Sequence, residues 1–287
     1  MARSPWDRRI AIVTTVTLVV SMSVILGFAL TSSSLEPSSV VTLPPITTGA
    51  QPPPYPVGSL SKVEASGLRP PGANAMPGFT MTYATNFPGN TVPAGWIVYH
   101  GQPMSDAGAQ FGSAHVVVRN GMLELNTWRD PQYQHRWVTG GLCQCGSPQT
   151  YGAYFVRSRI TGGGASAVQL LWPASNTWPP ELDFNETGGQ ITSTSSTVHY
   201  GPTNQIEQRE LSINMLQWHT WGVIWTPTSI RYLVDGVEWA SITTKSEIPR
   251  VPMTLDLQQQ TWCAQRRICP TAPVSMLVNW VVEYRAT

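Results

Sequence analysis

The sequence predicts an all-β fold, a jelly-roll sandwich of two antiparallel sheets over residues 79–287. Three observations predict it. Short apolar segments alternate with Gly, Pro and Asn turns along this whole stretch. Asn120-Gly121 and Asp235-Gly236 are two-residue hairpin signals flanked by strand-like runs. No long stretch carries an apolar period of 3.6 residues, so helices have no template.

Residues 1–30 form a separate N-terminal segment. Arg3, Arg8 and Arg9 precede an uncharged run of 21 residues from Ile10 to Leu30, close to the ~20 needed to span a bilayer. The run is longer than the ~7–15 residues of a signal-peptide core. It is therefore expected to be a membrane anchor with its basic end inside, ahead of a cleaved signal. Either outcome puts the rest of the chain outside the cytoplasm, tethered to the cell membrane or secreted. Residues 31–78, rich in Pro, Ser, Thr and Gly, read as an extended linker, with an ordered extension wrapped on the domain open for residues 57–78.

From Phe79 onward the strand candidates follow one another. They are His115-Val-Val-Val, Met122-Leu-Glu-Leu, Tyr151 to Ile160, Ala167 to Trp172, Thr197 to Tyr200 and Trp218 to Trp225. Ile230 to Val234, Val237 to Ile242, Met253 to Leu257 and Val274 to Tyr284 complete the set. The Asp235-Gly236 hairpin is the most sharply marked element, because alternation flanks it on both sides.

Composition removes several function classes. The net charge is +1 and no basic patch points to nucleic acid. Gly162-Gly163-Gly164 is not followed by the Lys-Ser/Thr of a phosphate loop, and neither His-Glu-x-x-His nor Gly-x-Ser-x-Gly occurs. Cys143, Cys145, Cys263 and Cys269 are an even set in an exported chain, which favours disulfides. Cys263 with Cys269 is the easiest local pair. A Cys143–Cys145 bridge would be strained, so pairing across the two clusters stays open. A four-cysteine zinc site lacks its usual spacing.

The chemistry concentrates in Trp178 to Glu186, where Glu181, Asp183 and Glu186 fall within six residues of a chain only 11% charged. On a strand, Glu181 and Asp183 share one face, and Leu182 and Phe184 the other. Regular alternation would send Glu186 into the core, where an unpaired carboxylate is costly. One extra residue, a β-bulge between Phe184 and Glu186, returns it to the acidic face. Three aligned carboxyls suit retaining glycoside hydrolysis, which needs a nucleophile and an acid/base about 5–5.5 Å apart. Crowding raises the pKa of one of them, and Asp183 would hold and tune Glu181. The competing reading is an acidic edge strand facing solvent.

The motif and the β texture together resemble glycoside hydrolase family 16, on its bulged Glu-x-Asp-x-x-Glu, laminarinase-like branch. Glu181-Leu-Asp-Phe-Asn-Glu186 carries the three acids. Tyr151 to Arg159, Leu170-Leu-Trp-Pro173, His199-Tyr200-Gly201, Trp218 to Pro227, Ile230 to Trp239 and Met276 to Tyr284 match in order. The resemblance implies a concanavalin A-like jelly roll with a concave sugar-binding cleft. It implies Glu181 as nucleophile, Glu186 as general acid/base and Asp183 between them. Trp172, Trp178 and Trp262 become candidates for sugar stacking, and His199 for a polar contact. Pro180 stands where the family usually has Gly. Asn185 replaces an apolar residue, which is harmless if the bulge exposes it. Asn279 stands where many relatives carry an Asp that helps bind structural calcium. That metal is left open and not expected, and no cofactor is expected.

The expectation is a monomeric retaining endo-β-glycosidase acting on a polysaccharide such as β-1,3- or β-1,3/1,4-glucan. The alternatives are a cell-surface polysaccharide transglycosylase and a non-catalytic carbohydrate-binding module.

Overall fold

The computed structural model describes residues 41–42, 54–103, 108–263 and 268–287. The expected anchor or signal over 1–30 and most of the linker lie outside them. Among the described residues no helix is long and apolar enough to cross a membrane.

Nineteen strands form among the described residues. They are β1 (Val41–Thr42), β2 (Ser59–Leu60), β3 (Leu68–Arg69), β4 (Phe79–Thr85), β5 (Ile97–Val98), β6 (Val116–Arg119), β7 (Met122–Asp130), β8 (Arg136–Thr139), β9 (Gly141–Cys143) and β10 (Gly152–Ile160). There follow β11 (Ser166–Pro173), β12 (Glu181–Glu186), β13 (Ser193–Tyr200), β14 (Gln205–Ser212), β15 (His219–Trp225), β16 (Ile230–Val234), β17 (Val237–Ile242), β18 (Met253–Gln260) and β19 (Val274–Ala286).

They build a jelly-roll sandwich. One sheet runs β1-β14-β13-β12-β11-β18-β9-β5, which places β12 among its inner strands. The other runs β17-β16-β15-β10-β19-β7-β6, with β4 on β19 and β8 on β7. Both expected hairpin turns form, with Asn120, Gly121, Asp235 and Gly236 all at positive φ. That left-handed geometry is the one two-residue hairpins use, and it explains Gly at the second position.

The core between the sheets comes from the alternation itself. Leu171, Leu182, Phe184, Leu255 and Leu257 of the first sheet meet Val156, Trp221, Val223, Trp225, Val234 and Met276 of the second. Each such side chain stabilises the fold by roughly 1.5–3 kcal/mol on burial. The residues alternating with Leu182 and Phe184 are thereby turned to the opposite, open face of the first sheet.

The second sheet has a further apolar face. Phe155, Ile224, Trp280, Val282 and Tyr284 form a cluster covered by Tyr55, Met76, Phe79 and Met81. The Trp280 indole donates to Leu68 O at 2.9 Å, and the Tyr284 hydroxyl to Gly72 O at 2.9 Å. The described chain from residue 54 therefore packs on this sheet, as the ordered extension held open for residues 57–78 would do. The physical reason is the buried Trp280 and Tyr284, which leave this sheet face apolar and in need of cover.

Both disulfides are local, Cys143–Cys145 and Cys263–Cys269. This overturns the pairing across clusters, and it leaves the four cysteines without a thiolate for zinc.

Candidate active site

The site begins with the register of β12. Glu181 pairs with His199, Leu182 with Val198, Asp183 with Thr197 and Glu186 with Ser195. From Asp183 to Glu186 is three steps, against two from Thr197 to Ser195, so one residue is extra. The same shift occurs against β11, where Asp183 pairs with Leu170 and Asn185 with Gln169. This is a β-bulge at Phe184 and Asn185. It brings Glu186 back toward the other acids, whose titration it raises.

Asn185 is not exposed by the bulge. It is 1% exposed, and its Oδ1 accepts from Thr194 Oγ1 at 2.7 Å. The amide is tolerated because a buried hydroxyl pairs with it.

Around the acids the open face is polar and aromatic. Trp178 donates its indole N–H to Glu181 Oε2 at 2.7 Å. Its ring stands 5.7 Å from that of His199. His199 Nε2 lies 3.6 Å from Asp183 Oδ2, and its Nδ1 lies 2.8 Å from Asn204 Oδ1. With Nδ1 donating to that oxygen, Nε2 is bare in the neutral ring and faces the Asp183 carboxyl. Trp172, half-buried, is one residue past Leu171 on β11, where the register leads toward Glu181. Its N–H goes to Asn176 Oδ1 at 2.8 Å. Trp262 is half-buried beyond the end of β18, beside the Cys263–Cys269 bridge.

One member of the site was not anticipated from the sequence. Asp256 on β18 pairs with Leu170, which pairs with Asp183 on its other side. Asp256 is buried, accepts from the Tyr99 hydroxyl, and accepts from Thr254 Oγ1 at 3.1 Å. Its charge raises the Glu181 pKa. The signal was present in Leu255-Asp256-Leu257, the same acid-between-apolars pattern as Leu182-Asp183-Phe184.

Crowding and burial govern protonation here. Burial pushes Glu181 up to about 8; the Trp178 N–H opposes this, and Glu186 and Asp256 add to it. Asp183 is pushed well above the usual carboxylate range by burial, then by Glu181 and Glu186. Burial lowers His199, keeping it neutral, while Asn204 opposes the shift. Burial and mutual repulsion therefore disfavour charging Glu181 and Asp183 together. Ligand atoms of Glu181, Asp183 and His199 lie within 4.8 Å of one another, the spacing a cation would need.

The residues around Asn279 do not fit calcium. Its Oδ1 accepts from Ser66 N–H at 3.2 Å and from Ser66 Oγ. Its Nδ2 donates to Glu64 Oε2 at 2.9 Å and Gly121 O at 3.0 Å. Both ends of the amide are satisfied by protein, and its Nδ2 donor occupies the place between the Glu64 and Gly121 oxygens.

The fold resembles solved laminarinase-type structures. The laminarinase of Rhodothermus marinus superposes with a TM-score of 0.64 at 20% identity, covering 73% of this chain and 98% of that one. The endo-beta-1,3-glucanase of Pyrococcus furiosus gives 0.61 at 17% identity, covering 73% and 95%. In sequence, the endo-1,3-1,4-beta-glycanase ExsH of Rhizobium meliloti is 34% identical over 105 residues, 35% of this chain. The aligned part is 23% of that relative's length. The family model for glycosyl hydrolases family 16 matches residues 104–281, which span β12 and nearly all of both sheets, and the chain belongs to that family.

Proposed function

We propose that this glycoside hydrolase is a retaining endo-β-glucanase cleaving β-1,3- or mixed β-1,3/1,4-glucan. The observation that carries the reading is the bulged row of Glu181, Asp183 and Glu186 on the open face of β12. Glu181 is the nucleophile. The Trp178 N–H holds one of its oxygens and favours the anion, leaving the other oxygen for the anomeric carbon. Asp183, the more deeply buried acid, retains a proton and shares it with Glu181 or His199 Nε2, steadying the nucleophile in place. Glu186 protonates the departing glycosidic oxygen, then takes a proton from water when the glycosyl-enzyme hydrolyses. Trp172, Trp178 and Trp262 offer ring faces to sugars, with His199 a polar contact. The activities of the laminarinase and 1,3-1,4-glycanase relatives support the substrate class. The two disulfides support export, which the N-terminal segment would direct.

The test is reducing-sugar release from both glucans, with the product anomer followed by NMR. Retention is expected in the wild type. Glu181→Gln should lose at least ~10³-fold in kcat, and azide should rescue Glu186→Ala as a β-linked glycosyl azide. An active Glu181→Gln enzyme, or an inverted product, would overturn the assignment.

A further inference from the structure

A second cavity opens past the Glu181 end of the acidic row, away from Glu186. Its volume is about 550 Å³, within the ~300–1,000 Å³ of small-molecule sites. Trp178, Pro180 and Tyr200 line it on the side of the acids, and Lys245, Ser246 and Arg250 on the other. Trp178 thus belongs to both places, since its N–H is bonded to Glu181.

Lys245 and Arg250 are both exposed, and both line the cavity. Arg119, Arg157, Arg209 and Arg231 each face a carboxylate, from Glu124, Asp235, Glu207 and Glu238. Lys245 and Arg250 have no such partner among the described residues, and no Asp or Glu lines the cavity. The nearest acid in sequence, Glu247, is in the same loop but outside the lining.

The wall that carries them is fixed. Ile248 between them is 3% exposed in the core, and Pro249 O accepts from the Trp225 indole at 3.0 Å. Pro252 O accepts from Ala174 N at 2.9 Å, joining this loop to the segment that leads to Trp178. A loop backbone held in place before binding loses less on ordering, which leaves only the two side chains to be ordered.

From these observations we infer that the cavity is a subsite for an anionic substituent on the glucan chain, a carboxylate or a sulfate ester. The aromatic wall takes a sugar ring, and Lys245 with Arg250 takes the negative group. The substrate class is thereby an acidic β-glucan. This rests on the proposed hydrolase reading for its catalytic readout, but binding tests it separately.

The full chain is assayed on one mixed-linkage β-glucan in three forms: unmodified, carboxylated at C6, and sulfated. Oligosaccharides of the same three kinds are titrated into Glu181→Gln, which binds without turnover. The expected result is binding about 3–20-fold tighter for an anionic form than for the neutral one. The preference should shrink as salt rises from 50 to ~500 mM. Lys245→Ala/Arg250→Ala should bring the anionic-to-neutral ratio to about 1. Preference for one charged form identifies that group as the one recognised. Equal or weaker binding of both charged forms, or a preference that survives the double substitution, overturns the inference. Selective binding without cleavage of any form would instead count against the hydrolase reading and leave the subsite standing.

Discussion

Replacing Trp178 with Phe isolates the hydrogen bond that favours the Glu181 anion. The ring face is largely kept, and the N–H donated to Glu181 Oε2 at 2.7 Å is lost. A hydrogen bond to a charged group contributes about 1.5–3 kcal/mol. At 1.36 kcal/mol per pKa unit this is about 1–2 units. The bond lowers the Glu181 pKa, so its loss raises it. The nucleophile must be ionised, so the acid limb of kcat/KM should move to higher pH by about 1–2 units. The assay is a pH profile of initial rates on mixed-linkage glucan, with substrate well below KM. Trp172→Phe is the control, because its N–H serves Asn176 and not an acid; its limb should stay in place. An unmoved limb in Trp178→Phe would refute either the nucleophile assignment or the role of the N–H. A rise in KM alone would mark Trp178 as a stacking surface only.

Three further outcomes follow from the same structure. Asp256→Asn removes a charge that raises Glu181, so its acid limb should move to lower pH, opposite to Trp178→Phe. Glu283 is 1% exposed and raised by burial from 4.5 to about 8. A raised carboxyl stabilises the fold fully below the unfolded value and loses that contribution as pH rises through the folded one. Its share of the weakening of urea unfolding between pH ~5 and ~8 should be on the order of 4 kcal/mol, with the raised Glu181 and Asp183 adding to the wild-type slope. In Glu283→Gln that slope should flatten, and an unchanged slope would assign it elsewhere. Asn279→Ala takes the acceptor from Ser66 N–H, leaves the Ser66 hydroxyl with Leu68 O, and leaves the Glu64 carboxylate with Asn86 Nδ2. It should cost about 1–3 kcal/mol in thermal or urea unfolding, whereas EDTA should leave the wild-type Tm in place; a Tm lowered by EDTA would restore a metal to this region.

Most strands were legible because their apolar residues alternate. β14 was not. Gln205 to Ser212 is polar on both faces and mostly exposed, and it is a strand because β13 offers it an eight-residue pairing. The sequence left residues 57–78 open between linker and ordered extension because their own composition cannot form a core. Their apolar partner is Trp280 and Tyr284, more than 200 residues away in sequence. Asp256 was passed over for a related reason, since its place in the row depends on β18 lying beside β11.

By itself the sequence determined the alternation, the two hairpin turns and the mismatch that puts Glu186 on the wrong face of a regular β12. Those are local properties, written in side-chain type at a spacing of one or two residues. Only the tertiary structure decided that the bulge absorbs the mismatch, that Trp178 reaches Glu181, and that Asp256 completes the acidic neighbourhood. It also decided that Lys245 and Arg250 face the cavity behind Trp178. Each of these depends on which strands and loops lie side by side, and that is fixed by core packing and hydrogen-bond register over long sequence separations.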